Sequence, residues 1–119
     1  MITLLDTIGP AIWRASWQAA ALAFLDGRLD IRGAEAIDLR LNVLAGSEKY
    51  LLIDLRNVSF TGSMGIRSLV LPAKTLTRRG GKMALLAPVP MVEEVLTTSK
   101  IHEIIPIVPD LESAVTLLR

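Results

Sequence analysis

A chain of 119 residues with 51% apolar content is long enough to bury one core and too apolar to be disordered, so a single domain over residues 1–119 is expected. Thirteen basic residues against twelve acidic ones leave a net charge of +1, which makes no electrostatic case for nucleic acid or an anionic membrane. Having no cysteine, the chain has no disulfide framework, thiolate nucleophile or sulfur-ligated metal site. No apolar run approaches the roughly 20 residues of a membrane helix; the longest, residues 19–25, is followed by Asp26 and Arg28. The first six residues lack the basic region of a signal peptide, so a cytoplasmic location without membrane insertion is expected.

In chain order, residues 2–5 and 11–17 both read as strands flanking Gly9-Pro10. Residues 21–25 read as a strand ended by the turn-prone pair Asp26-Gly27. Ala34, Ile37, Leu41 and Leu44 then recur at helical spacing from Gly33 to a stop at Gly46. Residues 50–55 form an apolar run broken only by Asp54, as expected of a central strand covered on both faces. Residues 56–60 read as a short polar connection, leading through a hydroxyl-bearing turn to a helix at Ile66.

That helix carries Ile66, Leu69, Val70, Ala73 and Leu76 on one face and ends in Arg78-Arg79-Gly80-Gly81. The arginines suit the negative end of the helix dipole, worth roughly 0.3–1 kcal/mol each, and the glycines suit a left-handed cap. Pro72 removes a backbone donor, so a kink or a late helix start is expected there. Residues 83–87 are the next buried strand, and Pro90 opens a helix bearing Val92, Val95 and Leu96. Residues 104–108 read as a last strand, placed at an edge by Pro106. Asp110 N-caps a final helix with Leu111, Ala114, Val115 and Leu118. Strands alternating with helices in this way make an α/β fold with mixed or mostly parallel strands.

Catalytic motifs are missing or incomplete. His102 is the single histidine and stands beside isoleucine, a setting more typical of a surface or capping residue than of a base. Thr61-Gly62-Ser63-Met64-Gly65 departs from the nucleophile elbow G-x-S-x-G at its first position. Gly80-Gly81-Lys82-Met83 lacks the leading glycine and the hydroxyl of a phosphate-binding loop, and Gly62 and Gly65 lack the third glycine of a dinucleotide site. Asp26, Asp30 and Asp54 lie on separate elements without metal-ligand spacing. Arg78, Arg79 and Lys82 read as a solvated helix end. No enzyme activity, cofactor or metal is expected.

Residues 51–65 carry a different signal. A buried strand feeding a helix N-terminus is where α/β folds place binding sites, because the first helical N–H groups lack internal partners. This segment resembles the signature of the STAS domains of bacterial anti-sigma factor antagonists, whose motif there is Asp-Ser-Ser-Gly. With Gly65 on the motif's glycine, Ser63 falls on its first serine, Met64 on its second, phosphorylated serine, and Gly62 on its aspartate. The similarity extends over about residues 22–118. Gly27-Arg28-Leu29-Asp30 resembles the family's passage from strand to helix, and Arg79-Gly80-Gly81-Lys82 its helix exit. The apolar spacing from Val92 to Ala114 is similar as well, whereas the Trp-bearing N-terminal segment is not. The resemblance implies a STAS-like small mixed sheet of four to five strands with about four helices.

It also implies a function. In such antagonists a kinase-type anti-sigma factor binds this face and phosphorylates the second serine, adding roughly −1.5 to −2 charges that break the complex. Met64 cannot accept phosphate and Gly62 supplies no carboxylate. The expected role is therefore a non-catalytic regulatory module that binds a protein partner, an anti-sigma factor or its equivalent, without the usual phosphoserine switch. The binding face comprises Asp30, Thr61, Gly62, Ser63, Met64, Gly65, Arg67 and Ser68, with residues 30–32 beside the loop. Ser63 reads first as a helix N-cap; Ser63 or Thr61 as a non-standard phosphoacceptor requires a shifted register. Gly62 and Gly65 allow a tight turn or the close approach of a partner. Met64 is either a core filler or an exposed, adaptable contact. The alternatives are an accessory STAS subunit of a larger assembly, such as a lipid-transport ATPase complex, or a domain sensing a small ligand or nucleotide. Self-association stays open.

Overall fold

One sheet in the order β1-β2-β3-β4-β5 organises the chain, with β1 antiparallel to β2 and every other neighbour parallel. The computed structural model describes residues 3–5 and 20–118. Among them are β1 (Thr3–Leu5), β2 (Ala20–Leu29), α1 (Ile31–Ser47), β3 (Tyr50–Thr61), α2 (Ser63–Arg78), β4 (Lys82–Leu86), α3 (Pro90–Thr98), β5 (Ile107–Val108) and α4 (Leu111–Leu118). The strand read at residues 2–5 is present as β1, while the one read at residues 11–17 lies outside the described residues.

The two-residue alternation of the strands divides the core in two. Ala23, Leu25, Leu51, Ile53 and Leu85 pack with Ile37 and Leu41 of α1, Leu69 and Leu76 of α2, and Leu96 of α3. On the other face Leu22, Leu52, Ala84 and Leu86 pack with Val108 of β5 and Ala114 of α4. Leu51 to Leu55 are all buried, as a strand with a covered face on each side requires.

Several boundaries differ from the sequence reading, and strand pairing explains the largest differences. Residues 56–60 are not a connection: β3 runs on to Thr61 because β2 stays beside it, pairing Gly27 with Val58 and Leu29 with Thr61. Asp26-Gly27 is accordingly not a turn. The pairing shifts register between Phe24 and Asp26 and again between Gly27 and Arg28, where Gly27 takes φ 116°. A bulge of this kind uses the same residue types as a turn but lets the strand continue. The bulged segment carries β2 as far as Leu29, so α1 and α2 start side by side.

α2 starts at Ser63, three residues before Ile66, and contains the buried Pro72 within a helix continuous to Arg78, so there is no late start. Gly46 lies inside α1 instead of ending it. Gly80 takes φ 81° just past α2, as a left-handed cap should. The C-terminus of α1 is closed from a distance: Arg79 Nη1 donates to the carbonyls of Ala45, at 2.5 Å, and Glu48, at 3.0 Å. Pro90 stands at the first position of α3 and the Asp110 carboxylate accepts from Ser113 N at 2.8 Å, both as expected. The final strand is shorter than read, only Ile107–Val108, and lies at the sheet edge. Residues 101–103 upstream of it form a single 3-10 turn.

Candidate functional site

Because Leu29 and Thr61 are partners across β2 and β3, the two helices that follow emerge from the same end of the sheet. Gly62 N donates to Leu29 O at 3.2 Å, which joins the two strand ends at the point of departure. Asp30 caps α1: its carboxylate accepts from Gly33 N at 2.9 Å and stands 3.7 Å from the Arg28 guanidinium. The Gly33 hydrogen bond, aided by the positive charge of Arg28, holds the Asp30 carboxyl below its ordinary range.

The cap of α2 is Gly62, with no side-chain hydrogen bond, and Ser63 is the first helical residue. Ser63 is therefore not the N-cap expected of it; the helix starts one position too early for its hydroxyl to turn back. Gly62 has ordinary φ of −112°, and a Cβ there would meet Phe60 at 3.5 Å, a normal contact. Its conformational role is thus not required by the backbone. Gly65 is different. A Cβ there would lie 2.5 Å from both Cγ and the carbonyl oxygen of Leu29 and 2.8 Å from Thr61 Oγ1. Its close approach is to the end of β2, inside the molecule, not to a partner.

Three of the residues assigned to the binding face point inward. Thr61 and Ser68 are each 3% exposed and Gly65 is buried. Thr61 Oγ1 donates to Gly62 O at 3.4 Å and Ser68 Oγ donates to Met64 O at 3.1 Å, so both hydroxyls serve the helix start. Ser63, Met64 and Arg67 are exposed and Asp30 is half-buried. Of the two readings of Met64, the core filler falls: its side chain is 41% exposed.

Beside Met64 lies an open groove of about 360 Å³, lined also by Arg28, Asp30, Ile31, Phe60 and Ser63. The Arg28 guanidinium lies 4.3 Å from the Phe60 ring centroid, a cation–π distance that holds one wall in place. Ile31 is 61% exposed on the other side. Ile31 falls within residues 30–32, expected beside the loop, whereas Arg28 and Phe60 were missed because residues 26–27 and 56–60 read as turn and connection. The signal was present in Arg28-Leu29-Asp30, which leads from strand to helix. Among the described residues no three histidine or carboxylate side chains converge to hold a metal, and His102 is exposed on the 3-10 turn. No described helix is long and apolar enough to cross a membrane.

The STAS domain family model matches residues 19–114. The fold is similar to that of an anti-sigma factor antagonist from Mycobacterium paratuberculosis, with 25% identity and a TM-score of 0.80 over 100% of this chain and 95% of that one. It is also similar to the phosphorylated form of the Bacillus cell fate determinant SpoIIAA, at 19% identity and a TM-score of 0.67 over all of both chains. A sulfate transporter family protein from Wolinella succinogenes, at 15% identity and a TM-score of 0.71, covers 83% of this chain and 86% of its own. Among curated protein sequences nothing matches the chain significantly. With a family match running from the start of β2 into α4, and a fold shared with these structures, the chain belongs to the STAS domain family.

Proposed function

We propose that this domain is a non-catalytic regulatory module of the anti-sigma factor antagonist kind, which docks the first turn of α2 and the adjoining groove on a protein partner in the cytoplasm. The observation that carries the reading is the exposed Met64 in the first turn of α2, at the place where the family motif puts its phosphorylated serine. A hydroxyl there is a switch, since phosphate brings charge into a neutral contact. A thioether has no such chemistry and offers an apolar, adaptable contact instead. The partner, an anti-sigma factor or its equivalent, is then held constitutively or released by means other than phosphorylation of residue 64. The likeness to a sulfate transporter family protein bears on the accessory-subunit alternative through the fold alone.

The test begins with affinity capture of the partner from the source cells and its identification by mass spectrometry. Titration of the purified partner then compares the parent protein with Met64→Asp. Binding weakened by about tenfold or more supports the reading. Equal affinity, with binding abolished by substitutions on α4, overturns it.

A further inference from the structure

From Met64 in its first turn, α2 displays an outward stripe that continues well past the site described so far. Met64, Arg67, Leu71, Lys74 and Arg78 follow one another at spacings of three, four, three and four residues, the repeat of a helix–helix seam. All five are exposed; Met64 is 41% and Leu71 44% accessible. At 1.5 Å per residue the stripe runs for about 21 Å, long enough for three to four turns of a partner helix. α2 contains no Asp or Glu. Arg78 donates to Thr75 Oγ1 at 3.4 Å, and among the described residues neither Arg67, Lys74 nor Arg78 has a carboxylate partner.

We infer that this stripe is a docking seam for an acidic amphipathic helix of a partner protein, one that places Leu- or Ile-like side chains at seam spacing with carboxylates beside them. The inference rests on the functional reading above and names the chemistry of the partner. Two apolar contacts alone make a weak seam, and cations in three of its five positions reject an apolar or basic helix, which would leave them desolvated and unpaired. Carboxylates opposite them turn that penalty into complementarity. An anionic membrane fits less well. The stripe has no aromatic residue and only two apolar ones, short of the wide apolar face that interfacial helices bury. The net charge of +1 also leaves no broad excess of positive charge to hold the domain on an anionic surface.

Two stapled helical peptides with identical leucine seams, one flanked by glutamate and one by lysine, provide the test, along with phosphatidylglycerol vesicles. They are titrated into the full chain and into Arg67→Glu/Lys74→Glu, with amide chemical shifts as the readout. Both substituted residues are exposed, and thermal melts check that the variant folds. The glutamate peptide should bind the parent about tenfold or more tighter than the lysine peptide, weaken as salt rises, shift amides along residues 64–78, and lose its preference in the variant. Equal binding of the two peptides, no binding, or shifts confined to other elements overturns the inference. Binding to vesicles without discrimination between the peptides overturns it in favour of a membrane. If the captured partner is lost with Met64→Asp yet binds Arg67→Glu/Lys74→Glu undiminished, the acidic helix is refuted while the functional reading stands. If neither variant weakens the captured partner, both fall.

Discussion

The guanidinium of Arg56, itself half-exposed, closes over the fully buried carboxylate of Asp54 two residues earlier on the same strand. Nη2 donates to Oδ2 at 2.6 Å, Nε reaches both carboxylate oxygens at 3.1 Å, and the Arg56 backbone N adds a bond to Oδ1 at 3.0 Å. The Phe24 ring lies 5.7 Å from the same guanidinium. A carboxylate in the middle of a sheet is tolerated only when its lone pairs are met this completely.

Removing one partner should therefore cost more than removing both. Arg56→Ala leaves the buried charge with one backbone donor and should destabilise the domain by roughly 2–4 kcal/mol, less than for a fully buried pair because water can reach the vacated side. Asp54→Leu combined with Arg56→Met should lie within about 1.5 kcal/mol of the parent. Urea denaturation of the single and double variants decides it. A double variant less stable than Arg56→Ala would show that the pair does more than neutralise itself.

The two glycines around Met64 should behave in opposite ways. At Gly65 an added methyl meets the backbone oxygen of Leu29, which cannot move without breaking the β2–β3 junction, so Gly65→Ala should cost about 1–3 kcal/mol. At Gly62 there is room, and the helix cap has no side-chain acceptor. Gly62→Asp should stabilise α2 by about 1 kcal/mol through an N-cap hydrogen bond and a negative charge at the positive dipole end. Thermal melts of both variants test the contrast; a destabilising Gly62→Asp would refute the cap geometry.

Much of the local chemistry was legible in the sequence, although Gly46 does not stop α1 and Ser63 does not cap α2; whatever depends on the neighbouring strand was not legible. Asp110, Pro90 and Gly80 act through bonds within a few residues of themselves, and each was read correctly from its type and place. The apolar run ending at Leu55 was legible too, because burial on both faces leaves no polar alternation. Asp26-Gly27 and residues 56–60 were misread because turn residues and bulge residues share a composition. Only the pairing of Gly27 with Val58 tells them apart. That error moved the start of α2 and hid the Arg28–Phe60 wall of the groove. Arg79 closing α1 joins residues 31 and 34 positions apart in the chain, beyond any local pattern.

Asp30 gives the fold a pH dependence of defined sign. Its carboxyl is depressed in the folded state by the Gly33 N–H and by Arg28, against an ordinary value of 3.8. A depressed folded value means stability that is fully present above 3.8 and is lost as pH falls through the folded value. Asn keeps a cap acceptor but has no charge to protonate. The parent should therefore melt above Asp30→Asn at neutral pH, and the gap should close as the solution is acidified below the ordinary carboxyl range. A gap that is constant with pH would assign the difference to shape and not to charge.

Phosphate should not regulate this domain through position 64. With a kinase-type anti-sigma factor, ATP and magnesium, the intact mass is expected to stay unchanged, since Met64 has no acceptor oxygen. The two neighbouring hydroxyls differ in access: Thr61 is 3% exposed and bonded to Gly62 O, whereas Ser63 is exposed at the first position of α2. A phosphate found on Ser63 would show that the register of the motif has moved by one residue, and its loss in Ser63→Ala would prove the site. Ser63→Ala should otherwise change stability by less than about 0.5 kcal/mol, because the cap belongs to Gly62.

Met64→Asp separates binding from folding at the same place. A carboxylate in the first turn of α2 is favoured by the helix dipole by roughly 0.3–1 kcal/mol, and the side chain it replaces is already 41% exposed, so the melting temperature should hold or rise slightly. At the proposed interface the same charge would enter a contact beside Ile31 and Phe60 that a partner fitted to methionine does not compensate. Affinity for the captured partner should fall by about tenfold or more, or about 1.4 kcal/mol, mainly through faster dissociation. Met64→Leu, which keeps the apolar surface, should bind within about threefold of the parent. Calorimetric titration of the three proteins, with melts recorded on the same samples, gives both quantities. If Met64→Leu is as weak as Met64→Asp, the thioether itself and not its apolar character is what the partner reads.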